Sequence, residues 1–207
     1  MENLLMNVLD FSHACEIFDN TKKISDEDMN YILKAGKKST SSFGMKPWKF
    51  LVITNEELKT KISPLCSEEV QISSSSHLVI FLAAMESTDS ESHNSKSNKK
   101  GFPADKLEFY TGIYPTHPEG SSLSNENMYS WPARQTYLAS GHMMTAAAIK
   151  GIDSCSIESY EKENIEEILG LDTSKFQIAC ILPFGYRLNE QSCIQKESLD
   201  NTTEFIK

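Results

Sequence analysis

Residues Ser39 to Thr54, STSSFGMKPWKFLVIT, decide how the rest of the chain is read. A polar, serine-rich turn containing Gly44 runs through Pro47 and Trp48 directly into branched and aromatic residues. Pro47 biases Lys46 toward extended backbone, so any preceding helix has to end upstream of it. Such a turn lays backbone N–H groups and small hydroxyls at the mouth of a sheet, where a flat polar ligand could dock. An ordinary helix-to-strand loop is the competing reading.

Upstream, Ser25 followed by Asp26, Glu27 and Asp28 reads as an N-cap with acids in the first turn. Met29, Ile32, Leu33 and Gly36 give a helical face that closes near Lys37 and Lys38. Downstream, Trp48 to Thr54 reads as a strand, and Asn55 caps a short helix through Leu58. His77 to Ala84 is apolar almost throughout, the pattern of a strand covered on both faces. Ser130 and Pro132 mark a helix start and Gly151 a C′ residue, predicting one long helix over Trp131 to Lys150. Gly141 and Ala146 to Ala148 thin that helix, which suits a subunit interface or, alternatively, dense packing within the monomer. An acidic helix over Glu161 to Leu169 ends at Gly170, and Phe176 to Phe184 is the last clear strand. Strands separated by helices predict a layered α/β or α+β domain.

A length of 207 residues predicts one domain, residues 1–207, with two appendages. The stretch ESTDSESHNSKSNKK, Glu86 to Lys100, has no aliphatic or aromatic anchor and reads as a surface insertion. Leu188 to Lys207 reads as an arm that becomes ordered by lying on something else. Between Gly101 and Asn125, four aromatic residues (Phe102, Phe109, Tyr110 and Tyr114) accompany a short helix expected at Asp105 to Tyr110.

The net charge of −9 argues against nucleic acid and anionic membranes as partners. No apolar run approaches the roughly 20 residues of a membrane span, and MENLLMNVLD lacks the basic start of a secretory signal. The five cysteines form no CxxC pair, which points away from a disulfide framework or zinc site and toward a reducing cytoplasm. The histidines are dispersed, so no metal ligand set and no catalytic side chain is assigned; His77 and His142 read as packed residues, Cys155 as a buried thiol. No GxGxxG or GxxxxGK[ST] loop is present.

Three blocks in order carry a resemblance. Ser41-Ser42-Phe43-Gly44-Met45-Lys46-Pro47-Trp48-Lys49-Phe50 resembles the PSS-x-x-x-x-PW-x-F signature of the FMN-dependent nitroreductase family. Ser76-His77-Leu78-Val79-Ile80 is similar to the family's "ASH" strand. Ala133 to Gly141 and Ala146 to Cys155 look like its long central helix and the following strand entry. The resemblance implies an α+β fold in α/β/α layers: a mixed central sheet flanked by helices, in a homodimer with exchanged C-terminal arms. It also implies an FMN-dependent NAD(P)H oxidoreductase, with ping-pong hydride transfer to nitroaromatic or quinone-like small-molecule acceptors and the 101–125 region as a lid. A dimer of the same fold that has lost or altered flavin binding, acting as a ligand-binding or regulatory protein, is the alternative. A third reading makes the Glu86–Lys100 insertion a partner site.

The resemblance also places the cofactor residues. Ser156-Ile157-Glu158-Ser159 is similar to the "PIEG" turn, whose backbone faces the flavin ring, with Ser156 for Pro and Ser159 for Gly. Those replacements are tolerable if Ser159 does not need positive φ. Ser12-His13-Ala14-Cys15-Glu16-Ile17-Phe18 falls on R-x-S-x-R/K-x-F, whose cations grip the FMN phosphate. Ser12, Ala14 and Glu16 replace the expected Arg, Ser and cation, while His13 is retained. Glu68 replaces an Asn, Gln71 is kept, and the tail K-x-R falls on Gln195-Lys196-Glu197, leaving Lys196.

Overall fold

The computed structural model describes residues 2–44, 46–67, 69–85, 125–190 and 199–206. The insertion at 86–100, the 101–124 region with its expected short helix, and Lys196 lie outside them.

Helix α1 (Glu2–Phe11) comes before any element expected from the sequence. Val8 is buried on it, whereas Leu4, Leu5, Met6 and Leu9 are exposed. Helix α2 (Asp26–Lys38) starts where the Ser25 hydroxyl accepts the Asp28 N–H at 3.1 Å. Strand β1 (Trp48–Ile53) leads to α3 (Glu56–Ile62), capped by Asn55 Oδ1 accepting the Leu58 N–H at 2.8 Å. Helix α4 (Glu69–Ser74) and strand β2 (His77–Ala84) follow. After the long α5 (Asn125–Ile149) come β3 (Asp153–Ser154), α6 (Lys162–Ile168), β4 (Phe176–Gly185) and the short α7 (Leu199–Thr202). Gly151 adopts φ +68°, the left-handed conformation of a helix C′ residue.

The four strands run in the order β1-β2-β4-β3, each antiparallel to its neighbours. All pairings between the described strands are antiparallel, and the segment after α1 adds an isolated parallel bridge of Ala14 with Ser154 at the edge. All eight residues of β2 are buried. Val79 and Phe81 pack with Ile24, Met29, Ile32, Ala139, Met143 and Ala147 on the side covered by α2 and α5. Leu78, Ile80 and Leu82 pack with Ile62, Ile72, Ile157 and Ile165 on the opposite side, covered by α3, α4 and α6. The period of two along β2 therefore builds both cores, giving the expected α/β/α layers. No helix among the described residues is long and apolar enough to cross a membrane.

A register shift opposite Phe81 and Leu82 leaves Ala179 without a partner. Side chains serve the backbone there: the Ile178 N–H donates to Glu166 Oε1 at 2.8 Å, and the Tyr129 hydroxyl donates to the Ile178 carbonyl at 2.7 Å. Lys162 joins both, 3.2 Å from Glu166 and 5.3 Å from the Tyr129 ring centre.

Tyr129 also explains why α5 starts at Asn125, upstream of the expected Trp131. Its ring packs against buried Ala83, Ala133 and Ala179, so the turn before Pro132 is held by tertiary contacts. Pro132 thus lies inside the helix, where it removes one backbone hydrogen bond. Of the small residues on α5, Ala146, Ala147 and Ala148 face the core and Gly141 is exposed. Lys46 departs from the extended conformation expected before proline and has φ +47°. Its N–H donates to Ser41 Oγ at 2.7 Å and its ammonium to the Lys37 carbonyl at 2.8 Å, which together hold the tight turn.

His77 is a buried core histidine, its Nδ1 2.9 Å from Ser76 Oγ, which also accepts the Ile24 N–H at 2.8 Å. Burial, then the Lys59 ammonium, hold it below the ordinary 6.5, with Asp26 opposing. The folded state therefore binds fewer protons here than the unfolded chain. Stability from this group is complete above about pH 6.5 and declines as the pH falls below it. In urea unfolding, the midpoint is expected to drop below about pH 6.5 and to drop less in His77→Asn. Equal pH sensitivity in the two proteins would assign the effect to other groups.

Candidate functional site

Three segments distant in sequence meet along the outer edge of β4. The chain after α1 pairs there: Ala14 bridges Ser154, Cys15 N–H donates to the Ser154 carbonyl at 3.2 Å, and Phe18 bridges Arg187. The 156–159 turn docks through Ile157, whose N–H donates to the Ile181 carbonyl at 2.9 Å. The loop before α4 closes on that turn through Ser67 N–H to the Ser159 carbonyl at 3.0 Å. The end of α4 ties back to the first segment, because Ser74 Oγ accepts the Phe18 N–H at 3.1 Å. Gly185 permits this meeting: a Cβ there would stand 2.7 Å from Phe18 Cδ1 and 3.1 Å from its Cβ.

A charged lock holds the first segment down. Asp153, its side chain 3% exposed, accepts the Arg187 backbone N–H and Nε–H, each at 2.9 Å. The guanidinium also reaches the Phe11 carbonyl at 3.3 Å and lies 4.3 Å from the Phe11 ring centre. His13 Nδ1 stands 3.7 Å from Asp153 Oδ1 and 3.3 Å from the Phe11 carbonyl. A small, open cleft lies beside the lock, lined by residues 13–17 together with Arg187, Asn189 and Glu190. Cys15 is buried, and burial with the nearby Asp153 carboxylate pushes its thiol up to about 11, leaving it protonated and unreactive at neutral pH.

Of the residues expected at a cofactor site, His13 and Ala14 line the cleft, and Ser12 immediately precedes them. Ile157 is fully buried, while Ser156, Glu158 and Ser159 are exposed around it. Lys46 is the one non-glycine residue with positive φ among the described residues, so Ser159 sits without glycine-like strain. Gln71 is half-buried on α4, in the helix that Ser74 ties to the first segment. Asn189 and Glu190 complete the cleft without standing among those expected residues, beside Arg187, a cation the sequence offers for the phosphate end. Arg187 acts on Asp153 across 34 positions of sequence, a pairing that no local pattern announces.

The Ser39–Pro47 turn gives its polar groups largely to α5. Ser42 N–H donates to Gln135 Oε1 at 2.8 Å, and Ser39 Oγ lies 3.1 Å from His142 Nδ1. His142 is exposed on the outer side of α5 rather than packed. Tyr137 is also on that side; partial burial, foremost, with the Cys180 thiol and the Glu158 carboxylate nearby, raises its hydroxyl to about 12. The described residues hold no group of three or more His, Cys, Asp or Glu placed to bind a metal ion. Four described cysteines are free thiols, Cys155 among them, and all four are buried.

Removing the Asp153 carboxylate leaves the guanidinium without its main partner. Asp153→Ala is expected to cost about 2–3 kcal/mol, below the range for fully buried pairs because Arg187 keeps 22% of its side chain exposed. Faster amide exchange at Cys15, Phe18 and Asp19 should accompany the loss. Unchanged exchange there would show that Asp153 does not hold this segment.

The Nitroreductase family matches residues 13–186. A Staphylococcus epidermidis protein named as an NAD(P)H nitroreductase is 36% identical over 200 residues, covering 92% of this chain and 90% of its own. YfkO of Bacillus subtilis, with the same description, is 31% identical over 219 residues, covering 100% of this chain and 99% of its own. A crystal structure of an Exiguobacterium sibiricum nitroreductase in complex with FMN superimposes with a TM-score of 0.81 at 23% identity, covering 98% of this chain and 97% of that one.

Proposed function

The chain belongs to the nitroreductase family, and from that membership we propose that it is a flavin-dependent NAD(P)H oxidoreductase acting by ping-pong hydride transfer on nitroaromatic or quinone-like small molecules. Carrying this reading is the convergence of residues 12–19, α4 and the 156–159 turn on one sheet edge. A bound flavin would supply two-electron transfer in alternating half-reactions with the nicotinamide and the acceptor. The chain's own work is to hold and shield that ring. The 156–159 turn presents exposed Ser156, Glu158 and Ser159 around the anchor of buried Ile157, a fit for a planar polar edge. FMN is the cofactor named with the structural relative, and its phosphate end fits the described residues poorly. Ser12 and Ala14 supply no positive charge, Glu16 supplies a negative one, and Arg187 already serves Asp153.

The site is proposed to lie between two copies of the chain. Tyr137, Leu138, Gly141, His142 and Ile149 are exposed along one side of α5, recurring at helical spacing. Leu4, Leu5, Met6 and Leu9 of α1 are exposed as well, and α1 packs on α5. Uncovered apolar area of this extent calls for a partner. Glu158 of the 156–159 turn lies near enough to raise the Tyr137 hydroxyl, so a copy seated on α5 would also approach the ring site. Phe205 and Ile206, 79% and 93% exposed, suit an arm laid on the other copy. Free buried thiols fit a reducing cytoplasm.

Purified protein reconstituted with flavin is expected to oxidise NAD(P)H when a quinone or nitroaromatic is added. An apo protein whose flavin titration is flat, with no reductase turnover, would favour the non-catalytic dimer. Sedimentation is expected to give a dimer for the native chain and a monomer for Leu138→Asp; a native monomer would contradict the assembly.

A further inference from the structure

We propose that the cleft beyond the ring site selects an uncharged terminus, so that this chain binds riboflavin at least as tightly as FMN, with Glu16 setting the preference. The proposal rests on the flavin reading above and names the cofactor form which that reading leaves open.

A phosphate monoester carries close to two negative charges at neutral pH and needs cations or unoccupied N–H donors. Two lining residues of the cleft, Glu16 and Glu190, are carboxylates. Its guanidinium, Arg187, is turned to a carboxylate that is 3% exposed, with Nε–H and backbone N–H both directed at Asp153 at 2.9 Å. One face of that guanidinium rests against the Phe11 ring, 4.3 Å from its centre, and a further nitrogen reaches the Phe11 carbonyl. The described charge beside the cleft is therefore negative in sum: Glu16, Glu190 and Asp153 against Arg187. Ala14 adds no hydroxyl where one could meet a phosphate oxygen. The net charge of −9 on the whole chain acts in the same direction.

A ribityl chain ending in a hydroxyl meets the opposite situation. Its O–H can donate to the Glu16 or Glu190 carboxylate in a charge-assisted bond, and its oxygen can accept from the Asn189 amide. The groups that repel a dianion are the acceptors that a neutral alcohol requires.

Isothermal titration of apo protein with riboflavin and with FMN, at low and raised salt, tests this directly. Riboflavin should bind with a dissociation constant equal to that of FMN within about threefold, or lower, and added salt should leave FMN binding unchanged or tighter. Glu16→Gln should tighten FMN about tenfold while moving riboflavin less than about twofold. FMN binding more than about threefold tighter than riboflavin, weakened by salt, would overturn the proposal and leave the flavin reading standing, because other parts of the assembly would then supply the cations. If neither flavin binds, both this proposal and the functional reading fall. Unchanged FMN affinity in Glu16→Gln, with the variant's melting temperature preserved, removes Glu16 from the role.

Discussion

Asp153 puts a carboxylate at the sheet edge with 3% of its side chain exposed, a placement that costs several kcal/mol unless a partner compensates it. Arg187 is that partner, and the requirement organises the surroundings. To reach Asp153, Arg187 has to leave β4 just after Gly185, and its guanidinium then lies over Phe11 at the end of α1. The chain between Phe11 and Asp19 is thereby brought against β3 and the exit of β4, where Ala14, Cys15 and Phe18 pair with backbone. The absent side chain of Gly185 leaves the space that Phe18 fills. One ion pair therefore determines where the wall of the cleft stands.

The same pair sets the electrostatics of that wall. A guanidinium that compensates a buried carboxylate has little positive field left for a ligand, and its neighbours Glu16 and Glu190 are acidic. Stability of the edge and attraction for an anion draw on a single side chain. In this chain the geometry favours stability, with consequences for whatever molecule occupies the cleft.

Much of the layered fold was legible because its determinants are local or periodic. Ser25 and Asn55 cap α2 and α3 with the hydrogen bonds their positions imply, and His77 to Ala84 is buried throughout. What escaped were effects of tertiary contact. Lys46 takes a left-handed conformation against the preference set by Pro47 because Ser41 and the Lys37 carbonyl hold it there. Helix α5 begins before Pro132 because Tyr129 is anchored to Ile178 and the alanines beside it. Helix α1 did show leucines at helical spacing, but its apolar side is largely exposed within one chain, so no single-chain core announces it. The 12–18 and 156–159 segments were identifiable by resemblance. Their attachment to a common edge depends on the Asp153–Arg187 pair and on backbone bridges, and neither is encoded in a short motif.

A crystal structure of the protein grown with riboflavin examines this account most directly. It should place the planar ring against the backbone of Ser156 to Ser159, the sugar alcohol running toward His13 and Glu16, and the Arg187 guanidinium still on Asp153. A ring bound elsewhere, or Arg187 released from Asp153 and turned to the ligand, would contradict it.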